Sequence, residues 1–356
     1  MAILQPLVDL AEICYLKGVR HIVLSPGSRS AALTLAFSRH QGFEMQVVMD
    51  ERAAGFIALG IAQQTGVPVV LLCTSGSAAY NLAPAIAEAF FQQIPLLVLT
   101  ADRPKEWTHQ YDGQTIYQYE IYGKHVKKSL ELPGDYSHKD SVWAINRMVN
   151  EGLDLAGHLP FGPVHINVPI REPFYPAAEE ALMASPDVRV IHQIETQLQL
   201  GSETWNTLIG EWEDASKILI VGGQHPVSER LNSVLAKITE EFDVPVVGDS
   251  VANLSGSEQF IYHQDLILSG KQANSDLVPD LLITYGLSLM SKELKIFLRN
   301  NKPTIHWHIS SDGVWADPLQ SVTHHIGLDA VYFFETFFEK VDYQLFVQNS
   351  ELDNDS

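Results

Sequence analysis

The stretch Met49-Asp50-Glu51-Arg52-Ala53-Ala54-Gly55-Phe56-Ile57-Ala58-Leu59-Gly60 decides how the chain is read. It follows the strand-like run Met45-Gln46-Val47-Val48-Met49 and turns helical after Asp50, a good N-cap. From Ala53 to Ala62 every residue is apolar or glycine, so the helix has no expected wet face and is expected to be buried. Gly55 and Gly60 would admit another backbone at close range. Glu51 then sits in the first turn of a buried helix, at the carboxyl end of a strand. Open α/β sheets bind ligands at that edge. The helix N-terminus favours the charged carboxyl and burial favours the acid, a balance suited to proton exchange. A first-turn Glu can also do no more than complement the helix dipole, so the rest of the chain has to decide.

Working outward, the flanking segments alternate strand and helix. Upstream, a helix over 5–17 precedes the strand His21-Ile22-Val23-Leu24, which runs into the turn Ser25-Pro26-Gly27-Ser28-Arg29-Ser30 and a helix to about residue 40. Downstream, Val69-Val70-Leu71-Leu72-Cys73 is continuously apolar, as in strands buried on both faces of a parallel sheet. It ends in Thr74-Ser75-Gly76-Ser77, followed by a helix over 78–92. Pro95-Leu96-Leu97-Val98-Leu99 is a further strand, ending in Thr100-Ala101-Asp102-Arg103-Pro104. Residues 105–135 lack periodicity and read as a long functional loop. A helix over 139–156 and the strand Val164-His165-Ile166-Asn167-Val168 close the unit. The fold class is therefore α/β, a doubly wound parallel sheet over 1–175. Residues 176–200, within a Pro-, Ala- and Gln-rich stretch, read as a linker, 201–345 as a second, Rossmann-like α/β domain, and 346–356 as a frayed tail. Strands of the second domain are expected at 218–221, 244–247, 281–284 and 304–307, with helices near 227–241, 291–300 and 328–339.

Composition narrows the function. The length of 356 residues fits two domains. No run of about 18 apolar residues exists, so no membrane span is expected. The N-terminus lacks a basic region followed by an apolar one, so no signal peptide is expected. Cys14 and Cys73 lie in apolar segments and read as core thiols of a reducing compartment, the cytoplasm. A net charge of −20 argues against nucleic acid as a partner. It also makes Arg29, Arg52, Arg103, Lys105 and Lys292 informative, because they sit near strand ends or helix starts where an anion can be held. The turns match neither the dinucleotide fingerprint, nor the P-loop, nor the nucleophile elbow of α/β-hydrolases. His306-x-His308 with His324-His325 allows a metal site, but structural histidines are favoured, and no metal ligand is assigned in this chain. What remains is one carboxyl and two guanidiniums around Gly-exposed backbone: Ser28/Arg29, Glu51, Thr74-Ser75-Gly76 and Asp102-Arg103. That describes an anion-handling α/β enzyme with a proton-exchanging group.

The strand–Glu–helix order, followed by Thr74-Ser-Gly-Ser-Ala-Ala-Tyr-Asn-Leu82 and Pro95-Leu-Leu-Val-Leu-Thr100, resembles the pyrimidine-binding domain of thiamine-diphosphate enzymes. The motifs Ser25-Pro-Gly-Ser-Arg-Ser30, Asp50-Glu-Arg-Ala-Ala-Gly55, Thr100-Ala-Asp-Arg-Pro104 and Gly113-Gln114 resemble, more narrowly, the carboligases of menaquinone biosynthesis. The resemblance is strong over about residues 5–175 and looser afterwards, where it rests on spacing and Ser291-Lys292.

It implies thiamine diphosphate with Mg2+ as cofactors, 2-oxoglutarate and isochorismate as substrates, and a homodimer or dimer of dimers. Glu51 would exchange a proton with the cofactor's aminopyrimidine, creating the nucleophile that adds to the keto acid. Glu51, Thr74, Ser75 and Gly76 would face the cofactor; Ser28, Arg29, Arg103, Gln114 and Lys292 would hold substrate. The family often has a second basic residue after that lysine, where this chain has Glu293. It also has a third domain whose Gly-Asp-Gly motif holds diphosphate and metal; Gly248-Asp249-Ser250 lies mid-chain and lacks the rest of that motif. The resemblance therefore leads us to expect a piece lacking roughly one domain, inactive alone. Another thiamine-diphosphate 2-oxoacid enzyme, or a non-catalytic α/β binding protein, are the alternative readings.

Overall fold

The computed structural model describes residues 4–172, 175, 182–194, 196–269 and 275–354, with 343–354 as backbone alone. The chain divides into two compact units, Met1–Glu195 and Thr196–Ser356. In the first, helices α1 (Gln5–Leu16), α2 (Ala31–Ser38), α3 (Glu51–Thr65), α4 (Ser77–Asn81), α5 (Ala83–Phe91) and α6 (Lys139–Gly157) alternate with strands β1 (His21–Leu24), β2 (Glu44–Val47), β3 (Val69–Cys73), β4 (Leu96–Asp102), β5 (Lys128–Glu131) and β6 (Pro163–Pro169). Among the described residues these six strands form one parallel sheet in the order β2-β1-β3-β4-β6-β5. The expected doubly wound sheet is the one found.

Side-chain alternation along the strands explains the layering. Val70 and Leu72 of β3 join the core under α1, α2 and α6; Val69, Leu71 and Cys73 join the core under α3, α4 and α5. Two apolar faces need two helical layers. The chain steps outward from β1 to β2 and returns to pair β3 beside β1, so the switch point lies between β1 and β3.

Helix α3 starts as its sequence requires. The Asp50 carboxylate accepts from Ala53 N at 3.0 Å, and Gly66 closes the far end in a left-handed conformation. Its expected complete burial is corrected. Ala54, Gly55, Ala58, Leu59 and Ala62 form a buried stripe, whereas Ala53, Phe56, Ile57 and Gly60 face outward, Phe56 45% exposed. The buried stripe is made of small residues because α5 lies close: a Cβ at Gly55 would sit 2.8 Å from that of Ala85. Gly60 approaches nothing.

Other differences have local causes. The helix expected over 78–92 breaks at Leu82, because Pro84 has no N–H to continue the ladder. The loop expected over 105–135 contains strand β5, an edge strand whose Lys128-Ser129-Leu130-Glu131 alternates too weakly with polar residues to be noticed. The linker expected at 176–200 lies partly outside the described residues, and within its described part the segment 182–191 is docked. Ser185 bonds the Asp9 carboxylate through N (2.8 Å) and Oγ (2.9 Å). Asn150, buried on α6, donates to Arg189 O at 3.1 Å and accepts from Ile191 N at 2.7 Å.

The second unit contains α7 (Ser202–Asp214), β7 (Ile218–Gly222), α8 (Glu229–Phe242), β8 (Val246–Gly248), α9 (Gln264–Leu268), β9 (Leu281–Tyr285), α10 (Lys292–Asn300), β10 (Ile305–Ile309), β11 (His324–Ile326) and α11 (Ala330–Asn354). Its five described strands are parallel in the order β11-β10-β9-β7-β8. Of the tail expected over 346–356, residues as far as Asn354 belong to α11. Residues 355 and 356 lie outside the described residues.

Replacing Asn150 by Ala should destabilise the first unit by about 1–3 kcal/mol, because Ile191 N and Arg189 O lose a buried partner. Limited proteolysis should then cut first within 182–191; an unchanged cleavage pattern would show that this segment is held otherwise.

Candidate active site at the carboxyl edge of the first sheet

Because all the strands run parallel, every strand-end loop of the first unit opens at one edge. Ser28 and Arg29 follow β1, Glu51 follows β2, Thr74-Ser75-Gly76 follow β3, and Arg103 follows β4. At the switch point the first and third of these loops touch: a side chain on Gly27 would overlap Thr74. Ser25 Oγ and Thr74 Oγ1 are buried there with no hydrogen-bond partner among the described residues.

Glu51 is half-buried, and one of its oxygens accepts from Asn81 Nδ2 at 3.1 Å. It lies near the end of β3, since burial first and the Glu51 charge second push the Cys73 thiol up. Asn81 was missed as a functional residue: in the sequence it reads as part of a helix, and the contact exists only because α4 and α3 pack together.

Arg29 is buried and donates to Ile170 O at 2.9 Å. Burial, then the neighbouring Arg103 charge, lower its pKa, with Glu172, Asp112 and Asp102 acting in opposition. It stays protonated at any ordinary pH. Arg103 pairs with Asp112 at 2.8 Å and donates to Gly113 O at 3.1 Å. Both guanidiniums are thus held at the edge. Ser28 is exposed on its turn.

Gln114 is exposed, with a left-handed φ of 57°. Its backbone covers Gly76, whose φ is +84°; a Cβ on Gly76 would meet Gln114 O at 3.1 Å. Strain and overlap both require glycine there. The Gly76 N–H is turned from the sheet and donates to Gln118 Oε1 at 2.7 Å. Gln118, 1% exposed, donates in turn to Ala101 O (3.1 Å) and Asn167 Oδ1 (3.0 Å). Asn167 donates to Asp102 Oδ2 at 2.9 Å and Glu131 Oε2 at 3.1 Å, and accepts from Thr100 at 3.0 Å. Asp102 accepts from Arg103 N at 2.8 Å. Burial raises the Asp102 pKa, with these bonds in opposition. Sequence reasoning missed Gln118. The one available signal was a lone amide in an aromatic-rich loop.

His165 ends this network, 2.7 Å from Thr100 Oγ1. The Thr100 proton goes to Asn167, so His165 Nε2–H is the donor and Nδ1 is left without a partner. Lys292, by contrast, opens α10 in the second unit and is exposed. The histidines of the second unit serve packing: Thr284 Oγ1 lies 2.9 Å from both His306 Nε2 and His308 Nδ1, and His306 Nδ1 lies 2.8 Å from Ser321 Oγ.

The residues present fit the pyrimidine side of thiamine diphosphate: a half-buried carboxyl with one oxygen fixed, near a strand-end loop where Ser25 Oγ and Thr74 Oγ1 are buried without a partner among the described residues. Gly248-Asp249-Ser250 does not fit the diphosphate and metal side. Asp249 Oδ2 is committed to Met290 N (2.6 Å) and Ser291 N (2.9 Å), and Oδ1 to Gln264 Nε2 (2.7 Å).

The first unit thus has the architecture and edge chemistry of a cofactor-binding domain of a thiamine enzyme, and residues 9–121 match the family described as thiamine pyrophosphate enzyme, N-terminal TPP binding domain. The chain is similar to 2-succinyl-5-enolpyruvyl-6-hydroxy-3-cyclohexene-1-carboxylate synthases. It is 45% identical to that of Cytophaga hutchinsonii over 89% of this chain and 56% of the relative. It is 39% identical to that of Porphyromonas gingivalis over 93% and 56%, and 38% identical to that of Phocaeicola vulgatus over 92% and 58%. The chain spans a little over half the length of these relatives. The resemblance drawn from the motifs is borne out.

His165 sets a pH dependence. Burial lowers its pKa to about 3, against about 6.5 unfolded. Its contribution is full above pH 6.5 and is lost as pH falls toward 3, because the unfolded chain takes up the proton first. Between pH 6 and 4.5, urea midpoints should fall by less in His165→Gln than in the wild type. Equal slopes would show that folded His165 is accessible to protons.

Proposed function

We propose that the first unit supplies the pyrimidine-side half of a thiamine-diphosphate active site. On this reading the chain is part of a transferase of menaquinone biosynthesis that decarboxylates 2-oxoglutarate and joins the remaining four-carbon unit to isochorismate. The observation that carries it is Glu51: a half-exposed carboxyl, held by Asn81 and sharing an edge with two fixed arginines. The names of the similar proteins support the choice of reaction.

Thiamine diphosphate with Mg2+, when bound, would supply the nucleophilic carbon. Glu51 would hold or give a proton at the ring nitrogen N1′, with the Asn81 bond orienting its carboxyl. Thr74, Ser75 and Gly76 would face the ring. Arg29 and Arg103 take substrate carboxylates in their planar forks. Arg103 does so by releasing or sharing Asp112, so each dicarboxylate competes with an internal ion pair. Ser28 and Gln114 add polar contacts. Among the described residues no three His, Cys, Asp or Glu side chains gather around a metal position, and we assign no metal ligand in this chain.

The exposed apolar face of α3 fits a second copy of the chain. Phe56 and Ile57 lie on it, and Val47, Met49 and Tyr80 are exposed in the neighbouring segments. No described helix is long and apolar enough to cross a membrane. The unpaired, buried Cys14 and Cys73 suit the cytoplasm.

In the assembled enzyme, Glu51→Gln should lower carboligation at least about 100-fold while circular dichroism and melting temperature stay near wild type. Turnover within a few-fold of wild type would remove Glu51 from this role, and faster turnover of pyruvate than of 2-oxoglutarate would change the substrate assignment. Phe56→Asp with Ile57→Asp should shift sedimentation of the chain to monomer. An unchanged dimer would place the interface elsewhere.

A further inference from the structure

Open α/β sheets usually bind ligands at the switch point of their carboxyl edge. In the second unit that point lies between β7 and β9, and backbone bonds bridge it. Gln224 N donates to Ser288 O at 2.9 Å, and Leu287 N donates to Gln224 O at 2.8 Å. A cavity lies elsewhere in this unit, on one face of the sheet. Helices α7, α8 and α11 pack the opposite face. The cavity face is packed by α10 and, through Leu268, by the short α9. A strand paired on both sides in a parallel sheet is normally buried on both faces. Strand β7 is paired with β8 and β9, yet Leu219 is only partly buried, whereas every residue of β9 is buried. The short helix leaves a cavity of about 470 Å³ there, inside the range of small-molecule sites.

Leu219 and Val247 of the sheet, Leu268 of α9, and Leu294 and Phe297 of α10 line the cavity with hydrocarbon. Gln264, 6% exposed, stands in the same wall. Its Nε2 donates to Asp249 Oδ1 at 2.7 Å, which fixes the amide orientation, because Oε1 turned toward a carboxylate would be repelled. Oε1 is buried with no hydrogen-bond partner among the described residues. A buried acceptor left unpaired is costly, so a donor from a ligand would be favoured there. The described charged residues lining the cavity are Lys217, Asp243 and Asp276, all exposed, one ammonium against two carboxylates. That balance does not favour an anion. We propose that this cavity binds an uncharged, largely apolar molecule that donates one N–H or O–H to Gln264 Oε1. The site lies wholly within the second unit and rests on nothing proposed for the first.

The test titrates the full chain with N-phenyl-1-naphthylamine, an uncharged aromatic amine with a single N–H, and reads its fluorescence. Its N-methyl derivative lacks the donor, and 8-anilinonaphthalene-1-sulfonate adds an anion to the same skeleton. The amine is expected to saturate at one molecule per chain, about fivefold tighter than the N-methyl derivative and tighter than the sulfonate. Leu268→Trp, which fills the cavity from a partly buried position, should weaken the amine at least about tenfold with an unchanged circular dichroism spectrum. Gln264→Met should bring the amine to the affinity of the N-methyl derivative and leave that derivative unchanged. If Gln264→Met does not fold, the wild-type comparison of the two amines decides the role of the donor. Binding that does not saturate, or that Leu268→Trp leaves unchanged, is adventitious surface binding only and overturns the site. Equal wild-type affinity for the two amines, or tighter binding of the sulfonate, overturns the assigned ligand class.

Discussion

The candidate site depends on one hydrogen bond, from the Gly76 N–H to the side chain of Gln118. At a φ of +84° the Gly76 amide points away from the ladder of β3, and an unpaired buried amide would cost about 1–3 kcal/mol. Gln118 satisfies it from a loop otherwise poor in regular structure, and thereby fixes that loop over the strand end. Through Asn167 and Asp102 the same set reaches the backbone of Arg103. The wall proposed for the cofactor and the arginine proposed for substrate are thus parts of one buried network, in which each polar group orients the next.

Electrostatics at this edge run against those of the chain. The protein carries a net charge of −20, yet two guanidiniums lie close enough for Arg103 to lower the pKa of Arg29. Asp102, Asp112 and Glu172 offset their repulsion. The arrangement is a positive centre inside a negative rim, already organised around carboxylates. On the proposed function, a dicarboxylate would replace an internal partner such as Asp112 rather than enter an unscreened positive pocket, and binding would be an exchange.

How much of this was legible follows from the range of each interaction. The sheet was readable because buried parallel strands need continuous apolar runs, as in Val69–Cys73, and because Asp50 announces the start of α3. That the loops carrying Arg29, Glu51, Gly76 and Arg103 open at one edge of the sheet followed from parallel topology alone. What was not legible depended on contacts between distant residues. Asn81 on Glu51, Gln118 under Gly76 and Asn150 holding 189–191 are single polar side chains with no periodic signature. Strand β5 was hidden because an edge strand needs little apolar alternation. The outward face of α3 was misjudged because an all-apolar helix is buried only if something covers both sides, and this chain covers one.

That last point joins the site to the proposed assembly. Helix α3 carries Glu51 in its first turn and Phe56 and Ile57 on the outward stripe one to two turns later. Its inner stripe is alanine and glycine, so the helix sits close on α5 and has little freedom to shift independently. A second copy covering the outer stripe would therefore act on the same rigid body that holds the carboxyl. Burial of the remaining exposed part of Glu51 and burial of the apolar stripe would then be one event.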